Sequence, residues 1–298
     1  MGKIRATVFV RPESVNSLRP ALDRLASHFD ERFLHTDPLK FPHRYTTVRD
    51  RELVGFVSAL LAFGNVRTIF QSLESLLQVL GSSPYETVYS WPNKLPKRLR
   101  SFRHRWVTGQ DLHFLFKGLR RILRKFGSIE RVFMAGYAPG DLDLSKSLER
   151  FSHQLLSEIH CRSPDPVVSL GLRFLISTPV MGSGCKRLNL FLRWMVRRVP
   201  PDLGIWKAVP PRQLLLPIDT HLGRILQYIG LTARRTVGWK MVSEVTARLR
   251  ELDPEDPVRF DFALARLGIL NRCRHRPDPD CCPHCLLREL CVLNNGTF

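Results

Sequence analysis

The chain has 298 residues, 44% hydrophobic and 24% charged, which is enough apolar material for one large domain or two packed domains and excludes a disordered chain. The 46 Lys and Arg against 27 Asp and Glu leave a formal charge of +19, which indicates a polyanionic partner. No apolar run approaches the roughly 18 residues of a membrane span, and the first residues lack the apolar core of a secretory signal. We therefore expect a cytoplasmic protein with no membrane contact.

Apolar residues recur with helical spacing almost throughout, so we predict an all-α fold. Strand-like alternation is confined to residues 7–11. One helix is expected after Thr47, which can cap it, through the apolar segment that ends at Leu61. Further helices are predicted over residues 16–31, 66–80, 109–126, 143–160, 166–177, 185–198, 218–229, 238–250, 257–269 and 284–292.

The sequence Val199-Pro200-Pro201-Asp202 is the best internal boundary, since it follows a long predicted helix and opens a proline-punctuated stretch. We therefore predict a helical domain over residues 48–199. Residues 1–47 and 200–298 are expected to form a second helical lobe. A cleft between the two lobes would receive the ligand.

Basic charge is concentrated between Lys94 and Lys125, where eleven Lys and Arg stand against one acid, Asp111. Aromatic residues are interleaved with these cations. Such a segment is equally typical of a nucleic-acid contact surface and of a solvated helix face whose aromatic residues belong to the core. The aromatic residues concerned are Phe102, Trp106, Phe114 and Phe116.

Five of the seven cysteines lie between Cys273 and Cys291, which indicates metal ligation in a reducing compartment. With Cys282 as the second ligand and Cys285 as the third, the spacing is C-x8-C-x2-C-x5-C. Four-thiolate zinc sites usually have two C-x2-C pairs, whereas only one exists here, so the spacing favours an iron–sulfur cluster over zinc. Cys281 has no role in this scheme unless it replaces its neighbour.

Gly182 and Gly184 precede a predicted helix, where outward-pointing backbone N–H groups and the helix dipole favour an anion such as a DNA phosphate. Lys186 falls in the first turn, and the dipole together with Arg187 disfavours an ammonium there. A neutral amine is what Schiff-base chemistry requires. The alternatives are an ordinary turn and a surface lysine that contacts phosphate without chemistry.

Asp219 begins the next predicted helix, in the sequence Asp219-Thr-His221-Leu-Gly-Arg224. A helix N-cap is a structural role sufficient to explain an aspartate at this position.

Together these segments resemble the helix-hairpin-helix DNA glycosylase superfamily. Gly182, Gly184 and Lys186 match its G-x-G-x-K hairpin, and the sequence from Asp219 matches its V-D-T-H-x-x-R turn. The helix leading into Cys273 resembles the approach to the [4Fe–4S] loop of endonuclease III-like members, although the interval to the second cysteine is two residues longer. The resemblance covers roughly residues 165–292 and is strongest to a little-characterised bacterial branch.

This resemblance implies a two-lobed helix-hairpin-helix glycosylase fold with a [4Fe–4S] cluster in the loop at residues 273–291. It implies a base excision repair enzyme, a DNA N-glycosylase and abasic-site (AP) lyase, with Lys186 as nucleophile and Asp219 as catalytic carboxylate. His221 is expected to hydrogen-bond within its turn. The cluster loop would place three arginines against the phosphates of damaged duplex DNA, namely Arg272, Arg274 and Arg276.

Ser183 stands where the hairpin normally has a hydrophobic residue, and residues 60–67 lack the Gln that relatives use to fill the hole left by a flipped base. These departures keep two alternatives open. One is a non-catalytic DNA- or RNA-binding protein on the same scaffold, and the other is a redox sensor built on the cluster. The enzyme is expected to be a monomer in the cytoplasm, associated with the nucleoid.

Overall fold

The structure, a computed structural model, describes residues 15–160 and 170–294, and the predicted all-α class is confirmed. Strands in this part of the chain are limited to β1 (Arg103–His104) and β2 (Val107–Thr108), an antiparallel pair in which His104 lies opposite Val107. Residues 7–11, predicted to alternate like a strand, lie outside the described residues. Among the helices that are described, none has the length and apolar character that crossing a membrane requires.

The described residues form twelve α-helices: α1 (Arg19–His28), α2 (Val48–Leu60), α3 (Val66–Leu80), α4 (Pro84–Tyr89), α5 (Gly109–Phe126), α6 (Ile129–Ala135), α7 (Ser145–His160), α8 (Leu170–Leu175), α9 (Lys186–Val196), α10 (Thr220–Tyr228), α11 (Trp239–Leu252) and α12 (Asp261–Ile269). Short 3-10 helices occupy Val15–Leu18, Glu31–Thr36, Pro38–Lys40, Pro42–Arg44, Lys97–Leu99, Pro211–Gln213, Cys282–His284 and Arg288–Leu290.

Helix starts follow side-chain caps that the sequence carries. The Thr47 hydroxyl accepts a hydrogen bond from the Asp50 N–H at the start of α2. Thr108 and Asp111 form a reciprocal capping box at the start of α5, which ends at Gly127 with φ of 86°. Most helices predicted from apolar spacing are therefore confirmed, with ends that differ by a few residues. Of the helix predicted over residues 166–177, the described part is helical at Leu170–Leu175.

Two short helices, α4 and α6, are missing from the sequence prediction. Helix α4 begins at Pro84. In the sequence this proline marks a break between helices, but proline is also well tolerated in the first turn of a helix. Helix α6 begins where the buried Glu52 carboxylate accepts hydrogen bonds from the N–H groups of Ile129 and Glu130, both at 2.8 Å. That contact is tertiary, so local spacing does not reveal it.

The helix predicted over residues 284–292 is wrong. Two 3-10 turns, Cys282–His284 and Arg288–Leu290, overlap this range. Cys285, which follows the first turn, is extended, with φ of −79° and ψ of 124°. Its end is held by a tertiary contact, since the Val292 N–H donates to the Tyr228 carbonyl at 2.9 Å. The segment is therefore held against the end of α10 by this hydrogen bond and does not form an α-helix.

Helix α2 is buried along almost its whole length and packs against α9 in the centre of the core. Aromatic rings fill the space beside this pair. Phe191 of α9 lies edge-on to Phe56 of α2, with ring centres 5.0 Å apart, and to Trp206 at 5.3 Å. The Trp206 indole N–H donates to Glu52 at 3.0 Å. Packing in the core therefore fixes the position of α9, including its first residue.

Contacts of Trp206 cross the predicted boundary at residues 199–202. Trp206, assigned by the sequence to the second lobe, packs beside α2 and α9 of the first. The N-terminal segment contacts the C-terminal part of the chain through the ion pairs Asp23–Arg259, just before α12, and Asp37–Arg266, within α12. The division into residues 48–199 and 1–47 plus 200–298 stays a prediction.

Candidate active site

One cleft of about 800 Å³ brings together the starts of two helices, α9 and α10. Its walls come from the turn after α2, the β1–β2 hairpin, the end of α8 and helix α12. Both predicted catalytic residues, Lys186 and Asp219, line it.

Lys186 is the first residue of α9, as the sequence predicts, and follows Cys185, which has left-handed backbone angles (φ 46°). Its side chain is 25% exposed, and Nζ donates a hydrogen bond to the Ala62 carbonyl at 2.8 Å. Nζ also lies 3.8 Å from Oδ2 of Asp219. The amine is therefore held at the wall of the cleft and remains accessible from it.

The Asp219 carboxylate caps a helix and also faces the cleft. Oδ1 accepts the Leu222 N–H at 2.9 Å and caps α10. The other oxygen, Oδ2, faces Lys186, and the side chain is 46% exposed. One oxygen therefore fixes the side chain, and the second is directed toward the amine and the cleft.

The glycine hairpin between α8 and α9 packs against the C-terminal half of the protein. Gly182 has φ of 76°, which favours glycine, and its carbonyl accepts the Trp239 N–H at 3.0 Å at the start of α11. A Cβ on Gly184 would lie 3.4 Å from Val242 of that helix. The Gly182 N–H donates to Pro179 within the loop, at 2.8 Å. That both glycines bind a DNA phosphate stays a prediction.

Arg187 makes its contacts inside the protein. Its guanidinium lies 3.7 Å from the centre of the Phe174 ring, and Nε donates to the Leu175 carbonyl at 3.3 Å. Burial lowers the pKa of Arg187 to about 10. From the sequence Arg187 is also predicted to bind DNA together with the glycine hairpin; it lines the cleft, and that role stays a prediction.

His221 does not hydrogen-bond within its turn, and that prediction is wrong. Its Nδ1 lies 2.9 Å from Nε2 of His275, and the two rings stack with centres 5.1 Å apart. The reason is tertiary, because His275 belongs to the cysteine-rich segment, which packs along α10. The segment thus reaches the helix that presents Asp219.

The cysteine-rich segment is organised around Asp278. This buried carboxylate accepts the N–H groups of Asp280 and Cys281 and pairs with Arg274 at 2.9 Å. The Asp278 N–H donates to the Cys282 sulfur at 3.3 Å. Of the arginines predicted to bind phosphate, Arg274 is thus paired within the loop. Arg272 and Arg276 are exposed.

The predicted ligands share one neighbourhood. Burial raises the pKa of Cys273, Cys285 and Cys291, and repulsion among the thiolates raises it further. Cys282 contributes to this repulsion on all three. Nowhere in residues 15–160 and 170–294 do three or more His, Cys, Asp or Glu side chains form a group that could hold a metal ion. The assignment of these four thiols as cluster ligands stays a prediction.

An aromatic cluster at the cleft wall is not predicted by the sequence. Phe63, Trp106 and Phe174 come from three separate segments, and their ring centres lie 4.6 to 5.4 Å apart. The only sequence signal was the basic segment around Trp106. Of its aromatic residues, Phe102 and Phe116 are buried in the core, as the structural interpretation predicts, whereas Trp106 is exposed.

A model of a family described as proteins of unknown function, DUF2400, matches residues 37–270. This is more than half of the chain, so the protein belongs to the DUF2400 family. The matched residues include Lys186 and Asp219 and end before Cys273. No curated protein and no solved structure matches the chain.

Proposed function

We propose that this DUF2400 protein is a DNA repair glycosylase with abasic-site lyase activity, and that Lys186 and Asp219 form its reactive centre. The observation that carries the proposal is the 3.8 Å approach of Lys186 Nζ to Asp219 Oδ2 in one cleft. These residues are distant in sequence, and each was selected by its own motif. Because they meet at two helix starts, the amine and the carboxylate could act on the same substrate atom.

The amine supplies the nucleophile. After the Lys186 ammonium loses a proton to water, the Nζ lone pair attacks the anomeric carbon, and the bond between sugar and damaged base breaks with its electron pair leaving on the base. The base takes up the proton released by the new amine. That amine then expels the ring oxygen, which takes a proton from water, and a protonated imine results. Water takes up the C2′ proton, the C2′–H electron pair forms a carbon–carbon double bond, and the C3′–O bond breaks with its electron pair leaving on the 3′ phosphate, which cleaves the strand.

The carboxylate supplies charge stabilisation. Positive charge builds on the sugar as its bond to the base breaks, and Asp219 Oδ2 is a fixed negative group directed into the cleft. The bond from Oδ1 to the Leu222 N–H holds that orientation. A damaged nucleotide must leave the base stack to reach this point.

Charge supports DNA as the partner. The net charge of +19 favours a polyanion, and Arg272 and Arg276 are exposed on the cysteine-rich segment, which contacts the Asp219 helix through His275. Binding to duplex DNA should therefore weaken steeply with salt.

We assign a [4Fe–4S] cluster to Cys273, Cys282, Cys285 and Cys291. The support is that the four thiols lie in one half-buried segment, where burial raises the pKa of three of them, and that the Asp278 N–H donates to the Cys282 sulfur. A bound cluster would cross-link these four cysteines and so hold the segment in one conformation. The residues around it would then hold Arg272 and Arg276 toward phosphate.

The decisive experiment for the enzyme is borohydride trapping on duplex DNA with an abasic site, which reduces the imine to a stable adduct. We expect an adduct with the native protein and none with Lys186→Ala. Lys146→Ala is the matched control, because Lys146 also pairs with an aspartate, Asp141 at 3.1 Å, and does not line the cleft. No adduct and no processing of a broad lesion panel by the native protein would leave a non-catalytic nucleic-acid-binding protein.

Iron analysis tests the cluster separately. Protein purified without oxygen should carry about four irons per chain. Cys282→Ser and Cys285→Ser should lose iron, and Cys281→Ser should keep it. One zinc per chain and no iron would overturn the assignment.

A further inference from the structure

The β1–β2 hairpin presents an exposed tryptophan beside the cleft. Trp106 is 44% exposed at the tip of the hairpin, next to Arg105, whose φ is 55°. Its indole stacks on Phe63, with ring centres 5.4 Å apart and planes at 30°, and meets Phe174 edge-on at 4.6 Å. Phe63, Phe174 and Arg105 line the cleft that contains Lys186.

This tip is anchored and does not hang free. His104, immediately before it, is fully buried, and its two ring nitrogens lie 2.9 Å from the Ser72 hydroxyl and 3.0 Å from the Phe63 carbonyl. Burial lowers the pKa of His104, which favours the neutral ring that these contacts suit. The aromatic platform behind Trp106 is therefore preformed, so stacking on it loses little side-chain entropy.

The stretch of chain that carries Trp106 is basic. Between residues 94 and 110 the chain has no Asp or Glu. Six exposed cations occupy this stretch, and none forms an ion pair with a carboxylate of the described residues: Lys94, Lys97, Arg98, Arg100, Arg103 and Arg105. The Arg105 guanidinium lies 4.8 Å from the centre of the indole ring. An exposed aromatic ring among unpaired cations matches a base and its flanking phosphates.

We propose that Trp106 is a base-stacking residue for DNA. Its indole receives the base left without a partner when a nucleotide opposite is missing or has entered the cleft, while Arg103 and Arg105 bind the adjoining phosphates. The inference rests on the proposed function for the placement of that nucleotide. Stacking accepts any base, because every base has an aromatic face.

The test uses a duplex with a tetrahydrofuran abasic analogue, which has no aldehyde and cannot react with Lys186, so binding is measured apart from chemistry. Binding of native protein, Trp106→Ala and Trp106→Phe is compared on this duplex and on intact duplex. Tyr89→Ala is the matched control, because Tyr89 is an exposed ring with Arg124 beside it and does not line the cleft. In a second arm, 5-iodouracil opposite the analogue is irradiated and the cross-linked peptide is mapped.

Trp106→Ala should weaken binding to the abasic analogue about tenfold, the scale of one lost base-stacking contact, with a smaller loss on intact duplex. Trp106→Phe should restore most of that affinity, Tyr89→Ala should match the native protein, and the cross-link should map to Trp106. Equal losses on both duplexes, or a cross-link elsewhere, would overturn the stacking role. If these results hold and borohydride still traps no adduct on true abasic DNA, the lyase chemistry fails and the stacking role stands.

Discussion

Helix α9 carries two cation–carboxylate pairs in different environments. At its first residue, Lys186 faces Asp219 at 3.8 Å with both side chains partly exposed. Two turns later on the same side of the helix, Arg193 is 2% exposed and pairs with Asp202 and Asp261. The first pair is loose and open to the cleft, and the second is closed and joins α9 to α12.

Burial decides what each pair can do. An exposed pair contributes little to stability, at most about 1 kcal/mol, and its groups stay available to a ligand. A buried guanidinium between two buried carboxylates cannot be removed without leaving charge uncompensated. On the same helix, Arg193 therefore stabilises the fold, whereas Lys186 stays accessible to a ligand. The following variants test this difference.

The largest effect is expected from Arg193→Met. Loss of the guanidinium leaves the buried Asp261 without its partner, while Asp202 keeps only its pair with Arg197, so the free energy of unfolding should fall by about 3–5 kcal/mol. Urea unfolding followed by circular dichroism measures it. A fall below about 1 kcal/mol would mean that the buried pair does not hold the helices together.

Asp219→Asn separates capping from charge. Asparagine caps a helix as well as aspartate, so stability should change by less than about 1 kcal/mol. Loss of the negative charge should slow adduct formation by a factor of about 100 or more. Single-turnover trapping gives the rate, and urea unfolding gives the stability. Native-like rates with Asp219→Asn would confine the residue to its capping role.

The buried pair should also respond to pH through Asp261. Burial, helped by repulsion from Asp202 and opposed by Arg193, raises the pKa of Asp261 to about 6, above its ordinary value of 3.8. The folded state therefore binds a proton that the unfolded state has released. Between about pH 6 and about pH 4, native protein should gain about 1 kcal/mol of stability per pH unit relative to Asp261→Asn as pH falls. A difference independent of pH would refute this.

The smallest effect on stability is expected from Lys186→Met. Its pair is partly exposed, and methionine retains the apolar stem, so the free energy of unfolding should change by less than about 1 kcal/mol. The same urea titration that measures Arg193→Met provides the comparison. Equal destabilisation by the two variants would remove the distinction between the pairs.

The sequence predicts what depends on local spacing. Apolar periodicity and caps locate the main helices, and the hairpin and Asp219 motifs select two residues that meet in the cleft. It misses what depends on tertiary contact. The Glu52 carboxylate on α2 accepts a hydrogen bond from the first residue of α6. His221 contacts His275 and not its own turn. The Val292 N–H donates to the last residue of α10, in a segment where the sequence predicts a helix.

The aromatic cluster shows the same limit. Phe63, Trp106 and Phe174 are separate in the chain, and each is an ordinary core candidate by local pattern. Only the fold distinguishes the exposed Trp106 from the buried Phe102 and Phe116. The composition of the basic segment therefore does not predict that Trp106 is its exposed ring.

Peptide mapping of the borohydride-trapped adduct tests the central claim most directly. Native protein is reduced on abasic duplex DNA, digested with protease and nuclease, and the modified lysine is identified by mass spectrometry. We expect a sugar remnant on Lys186, the first residue of α9. A remnant on another lysine or on the N-terminal amine, with Lys186 unmodified, would contradict it.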